Sequence, residues 1–91
     1  LGGAFVTSNR ESGDGRYDIQ LKPTKKGLPG ILIELKAEKN CSDEKLKVLS
    51  EAALQQINDK KYETELTAAG VKTVYKYGVA FSGKKVEVTV G

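Results

Sequence analysis

The sequence predicts an α/β fold: a mixed, mainly antiparallel sheet of about five strands flanked by helices. Three patterns point to it. Arg16 to Lys22 and Val71 to Phe81 alternate apolar and polar residues with a period of two, as half-buried strands do. Ile31, Leu32, Ile33 and Leu35 form the most apolar run of the chain, which reads as a central strand. Leu46, Leu49, Ala53 and Ile57 recur at helical spacing between these strand patterns.

Taken in order, Ala4 to Asn9 is a short first strand around Phe5 and Val6, and Glu11 to Gly15 is a turn rich in Gly and Asp. In the second strand Tyr17, Ile19 and Leu21 point one way, and Arg16, Asp18, Gln20 and Lys22 the other. Pro23 to Pro29 is a basic loop, because proline at either end cannot continue a hydrogen-bonded ladder from inside. After the central strand, Ser42 offers an N-cap, and Asp43 and Glu44 suit the first turn of a helix over 43–58. A shorter helix over about 60–69 ends at Gly70, a natural C′ residue. Ser82 and Gly83 turn the next strand into a last one, where Val86, Val88 and Val90 share a face. The order is β-β-β-α-α-β-β.

Composition narrows the chemistry. With 91 residues the chain has room for one modest core, so we read it as a single domain. It begins with Leu1 and not Met, and we take it as a piece of a longer protein. No apolar run approaches the ~20 residues of a membrane span, so no membrane partner is expected. The single Cys41 cannot form an internal disulfide, which suits a reducing cytoplasm. Fifteen Lys and Arg against twelve Asp and Glu give a net charge of +3, which permits a polyanionic partner without demanding one. The paired lysines at 25–26, 60–61 and 84–85 read as solvated surface. The absence of histidine removes Ser-His-Asp triads and His-containing zinc sites. Hydrolytic chemistry would have to be run by carboxylates, lysines and a hard metal.

The informative residues are charged ones inside strands. Glu34 and Lys36 are two apart, so both leave one face of the central strand, opposite Ile33 and Leu35. If the Pro23–Pro29 loop makes the two strands an antiparallel pair, a register with Lys22 opposite Gly30 sets Asp18 across from Glu34, about 5 Å between Cβ atoms. Two carboxylates so close repel, and a divalent cation is one relief; an ion-pair cluster with Lys36 on a partly exposed sheet is the other reading. Gln56 lies beside Ala53 and Ile57 on the inward side of the helix. Its amide either serves the same site or bonds to backbone. Glu11 is a candidate outer acid, against a solvent-facing role in its turn. Gly13-x-Gly15 and Gly27-x-x-Gly30 are too short and wrongly placed for a phosphate-binding loop. Tyr75 and Tyr77 alternate with Lys72 and Lys76 in a way that allows base stacking, though the phase favours a face shared with Val79 and Phe81.

Asp18 followed by Glu34-Leu35-Lys36 after an apolar strand resembles the D…(D/E)-x-K signature of the PD-(D/E)XK nuclease superfamily. The run from Ser8 to Ile19, Pro29-Gly30-Ile31, Ala53 to Ile57 with Lys60-Lys61-Tyr62, and Tyr77 to Lys84 together resemble the nuclease-like domain at the C-terminus of bacterial AAA-ATPase-like proteins. The chain departs from the family pattern at Tyr17, where proline often precedes the Asp, and at Lys60, where some branches place an aromatic. The resemblance implies a restriction-endonuclease-like core whose first helix would precede Leu1. It also implies Asp18 and Glu34 as ligands of Mg²⁺ or Mn²⁺, with the Leu35 carbonyl as a third. Lys36 would be the catalytic lysine and Gln56 a fourth active-site residue. The implied substrate is nucleic acid, DNA more readily than RNA, and the implied partner is an ATPase-like region of the same polypeptide.

Overall fold

The computed structural model describes residues 5–11, 16–60 and 62–91. Five strands, β1 (Phe5–Glu11), β2 (Arg16–Pro23), β3 (Gly30–Ala37), β4 (Val74–Ser82) and β5 (Lys85–Val90), lie in chain order across one sheet. Three pairings are antiparallel, and β3 with β4 is parallel. A parallel neighbour needs a crossover, and the helices α1 (Asp43–Lys60) and α2 (Tyr62–Ala68) supply it. The α/β reading of the sequence therefore holds, with its mixed, mainly antiparallel sheet.

Local chemistry explains the boundaries. Ser42 caps α1, its Oγ accepting from the Lys45 N–H at 3.1 Å, and Asp43 and Glu44 follow in the first turn. α2 closes in a Schellman arrangement: Val71 N–H donates to the Leu66 carbonyl at 3.0 Å and Gly70 N–H to that of Thr67 at 3.0 Å. Gly70 takes the left-handed φ of +92° that this ending requires. Val71 is thereby used by the helix end and packs with Leu66 in the core, so β4 starts at Val74 and not at Val71. Glu11 belongs to β1, paired with Tyr17, where the sequence placed it in a turn; residues 12–15 of that turn lie outside the described residues. At the far hairpin Gly83 has φ +59°, a backbone state that a two-residue loop needs at its first position.

α1 lies over β3, β4 and β5. Its closest approach is at Gly78 in β4, where an added Cβ would collide with the Ser50 carbonyl oxygen and the Leu54 nitrogen. Ser50 Oγ and Thr89 Oγ1, 2.7 Å apart, tie the same turn of the helix to β5. Apolar burial divides into two groups on either side of this contact. Leu32, Ile57, Leu66 and Val71 form one, with Leu54 and Val74 against it. Cys41, Leu46 and Ala80 form the other, with Leu49 beside it. The opposite sheet face carries Tyr75, Phe81, Val86, Val88 and Val90, all exposed. This is the shared face read for Tyr75, Tyr77, Val79 and Phe81.

The close approach makes a stability forecast. Gly78→Ala should cost about 3 kcal/mol in chemical denaturation, because backbone atoms of α1 have to give way. Gly70→Ala, with open space but a positive φ, should cost only about 1 kcal/mol. Equal losses at the two positions would contradict the packing described.

Candidate active site

β2 and β3 pair so that Asp18 is directly across from Glu34, with Gln20 across from Leu32 and Leu21 from Ile31. Lys22 therefore falls opposite Gly30, the register considered from sequence. Facing residues of an antiparallel pair share a face, with Cβ atoms about 5 Å apart. Along β3 burial alternates: Gly30, Leu32 and Glu34 are buried, while Ile31, Ile33 and Leu35 are half-buried. Glu34 is thus on the side that α1 covers, and so is Lys36, two residues on and half-buried.

Glu34 is fully buried at 0% exposure. A carboxylate there is costly unless surrounding groups compensate it. Asp18, Glu34, Lys36 and Gln56 are each engaged with neighbouring groups. Even so, Asp18 Oδ1 and Glu34 Oε2 are buried without a hydrogen bond among the described residues. Next to Glu34 in β4 stands Gly78, and beyond it Thr89 in β5, so one row crosses four strands as Asp18, Glu34, Gly78 and Thr89. The missing side chain at Gly78 lets the helix come down onto this row.

Gln56 is half-buried. Ser50 and Leu54 turn toward β5, where they meet Thr89 and Gly91. Gln56 lies about 160° around the helix from Leu54, at 100° per residue, which puts it on the flank nearer β2 and β3. Leu35 alternates onto the opposite face, its backbone set between Tyr17 and Val79. Glu11 closes β1 one register position beyond the Arg10–Asp18 pair.

The donor set fits a hard divalent cation. Mg²⁺ takes oxygen ligands, often one or two carboxylates completed by waters and a phosphate oxygen. Among the described residues no group of three or more His, Cys, Asp or Glu side chains gathers in one place, and the Asp18–Glu34 pair brings two carboxylates face to face. A zinc-type site with three protein side chains is not formed there.

Ser50 and Gly78 are the features the sequence concealed. Serine within a helix reads as an exposed polar residue, yet Ser50 is 0% exposed. Gly78 reads as a weak point in a strand, and only the approach of α1 reveals its use.

Among the described residues no helix is long and apolar enough to cross a membrane. Comparison with known proteins adds one result: the sequence model of the PD-(D/E)XK nuclease superfamily matches residues 1–90. No curated protein and no solved structure matches the chain. With Asp18 set opposite Glu34 by the β2–β3 register, Lys36 on the same face two residues on, and the match spanning nearly the whole sequence, the chain belongs to the PD-(D/E)XK nuclease superfamily.

Proposed function

We propose that this chain is a metal-dependent nuclease domain that hydrolyses phosphodiester bonds of nucleic acid, DNA in preference to RNA. The observation that carries the reading is the register pair of Asp18 with the buried Glu34, with Lys36 two residues further along the same face. Family membership supports the reaction class.

Asp18 and Glu34 would hold Mg²⁺ or Mn²⁺, with the Leu35 carbonyl as a further oxygen donor. When bound, the ion supplies Lewis-acid stabilisation of the phosphoryl oxygens and lowers the pKa of a coordinated water. Burial of Glu34 beneath α1 fixes its carboxylate and limits competing water around it. Lys36 Nζ extends from the same face to orient the attacking water and to neutralise charge that grows on the phosphate in the transition state. Gln56, on the flank of α1 toward β3, would position that water or the lysine through its amide. β1 and β2 extend beyond the strands that α1 covers, so the nucleic acid reaches the carboxylates across that part of the sheet. In the longer polypeptide an ATPase-like region would accompany the domain, which would work in the cytoplasm.

Cleavage of a labelled duplex by the purified protein should require Mg²⁺ or Mn²⁺ and stop on addition of chelator. Lys36→Ala should lower the rate by at least about 100-fold, the size expected for one transition-state donor, while Mn²⁺ still raises the melting temperature. Asp18→Ala should lose both cleavage and the Mn²⁺-induced shift, because stabilisation by a ligand follows its binding to the folded state. Wild-type protein that binds DNA but never cuts it with either metal would point instead to a non-catalytic binding domain.

Gln56 is separable from its neighbour on the helix. Gln55 is exposed and bonded to Asp59 at 3.0 Å, so Gln55→Ala should leave cleavage within about twofold, inside the effect of an ordinary surface change. Gln56→Ala should reduce the turnover number with little change in KM and shift the pH–rate profile. Identical profiles for the two variants would remove Gln56 from the site.

A further inference from the structure

At the end of the sheet where β3 and β4 begin, two connections face each other. One is the β2–β3 loop from Pro23 to Pro29, the other the α2–β4 segment from Ala69 to Thr73. They enclose a groove of about 740 Å³, with Tyr75 as part of its lining. Lys25 and Lys26 come from one wall and Lys72 from the other, and no carboxylate lines the groove among the described residues. All three lysines are exposed. Among the described residues Lys45 pairs with Glu38, Lys76 with Glu63 and Lys85 with Asp43, all away from the groove.

From this arrangement we infer a second nucleic-acid contact: the groove holds a single-stranded segment of the substrate. Its phosphates lie against Lys25, Lys26 and Lys72, and one base stacks on Tyr75. The inference rests on the nuclease reading for the identity of its ligand. Positive charge on both walls matches a polyanion that passes between them, and an aromatic ring beside a basic track is how unpaired bases are gripped without regard to sequence. Tyr75 is 46% exposed. Its ring is thus open to solvent on the apolar face of the sheet, whereas a paired and stacked base would have no free face to offer it. Single-stranded nucleic acid is favoured over duplex on that ground.

The carboxylates lie on the α1 side of the sheet and Tyr75 on the other, so a nucleic-acid strand that joins them rounds the end of the sheet past Lys22. Asp18, Gln20 and Lys22 alternate onto one face of β2, and Lys22, exposed, stands next to the loop that carries Lys25 and Lys26. From Asp18 to Lys22 the strand advances about 13 Å. At the duplex rise of about 3.4 Å per nucleotide this is at most about four nucleotides, and fewer for an unpaired strand, which is more extended. A two-nucleotide tail is too short both to cover the distance and to fill the groove.

The experiment measures fluorescence anisotropy of the full chain with labelled DNA in the presence of chelator, so that binding is read without cleavage. Three probes are used: a blunt duplex, the same duplex with a two-nucleotide tail, and one with an eight-nucleotide tail. Wild-type protein should bind the long-tailed probe about tenfold more tightly than the other two. Lys25→Ala, Lys26→Ala and Lys72→Ala combined should erase that gain and reduce the slope of log affinity against log salt by about two, at about 0.7 per single-strand phosphate contact. Tyr75→Leu should lose about tenfold on the long tail, and Tyr75→Phe should restore it. Replacing Lys39, Lys47 and Lys84 by alanine should leave the gain intact. A wild type with no tail preference, or a groove variant that keeps it, overturns the proposal. Cleavage by wild-type protein in Mg²⁺ is scored separately: tail binding without cleavage sinks the nuclease reading and keeps the groove, while cleavage without tail preference does the reverse.

Discussion

A carboxylate with no exposure in the middle of a sheet is the constraint on which the rest of this molecule turns. Glu34 lies in β3, flanked antiparallel by β2 and parallel by β4, under the helix that packs on β3, β4 and β5. The row of Glu34 across the sheet lies between the two apolar groups, Leu32, Ile57, Leu66 and Val71 on one side and Cys41, Leu46 and Ala80 on the other. Burying a charge costs free energy unless the surroundings compensate it, and a domain of this size has little to spare. A local rule broken at such a cost is characteristic of a functional position.

The neighbours of Glu34 follow from that burial. Asp18 stands across from it because β2 and β3 run antiparallel through a short loop, and alternation then puts both carboxylates on one face. Gly78 stands beside it in β4, and the absent side chain lets the backbone of α1 settle against the sheet. Ser50 and Thr89 close the row on the far side with their hydroxyl contact. The Asp18–Glu34 pair is therefore held by regular elements whose positions are fixed by hydrogen-bonded register, a stiffer support than a loop.

Much of this was legible in the residues. Alternation in β2 and the proline-bounded loop were enough to foresee Asp18 opposite Glu34, since a slip of one residue would have turned Ile19 and Leu21 to the other face. Ser42 and Gly70 announced the helix ends through capping chemistry that is local. What sequence hid was tertiary. Nothing near Gly78 in the chain signals that Ser50 and Leu54 will press upon it, and nothing near Ser50 signals Thr89. Lys25 and Lys26 read as solvated surface, and Lys72 was weighed only with its neighbours Tyr75 and Tyr77, because the two connections that form one groove are far apart in the sequence. The start of β4 was misplaced because Val71 alternates like a strand residue while its N–H serves the end of α2.

The proposed cation site is the Asp18–Glu34 pair. Crystals grown with Mn²⁺ and measured near the manganese absorption edge test it most directly. A cation site there requires an anomalous peak between β2 and β3, bonded to oxygens of both carboxylates at about 2.2 Å and otherwise to water or phosphate, the hard-oxygen pattern shared with Mg²⁺. A map with no peak there at saturating Mn²⁺, and with Lys36 Nζ lying between the two carboxylates, would contradict it and leave an ion-pair cluster in its place.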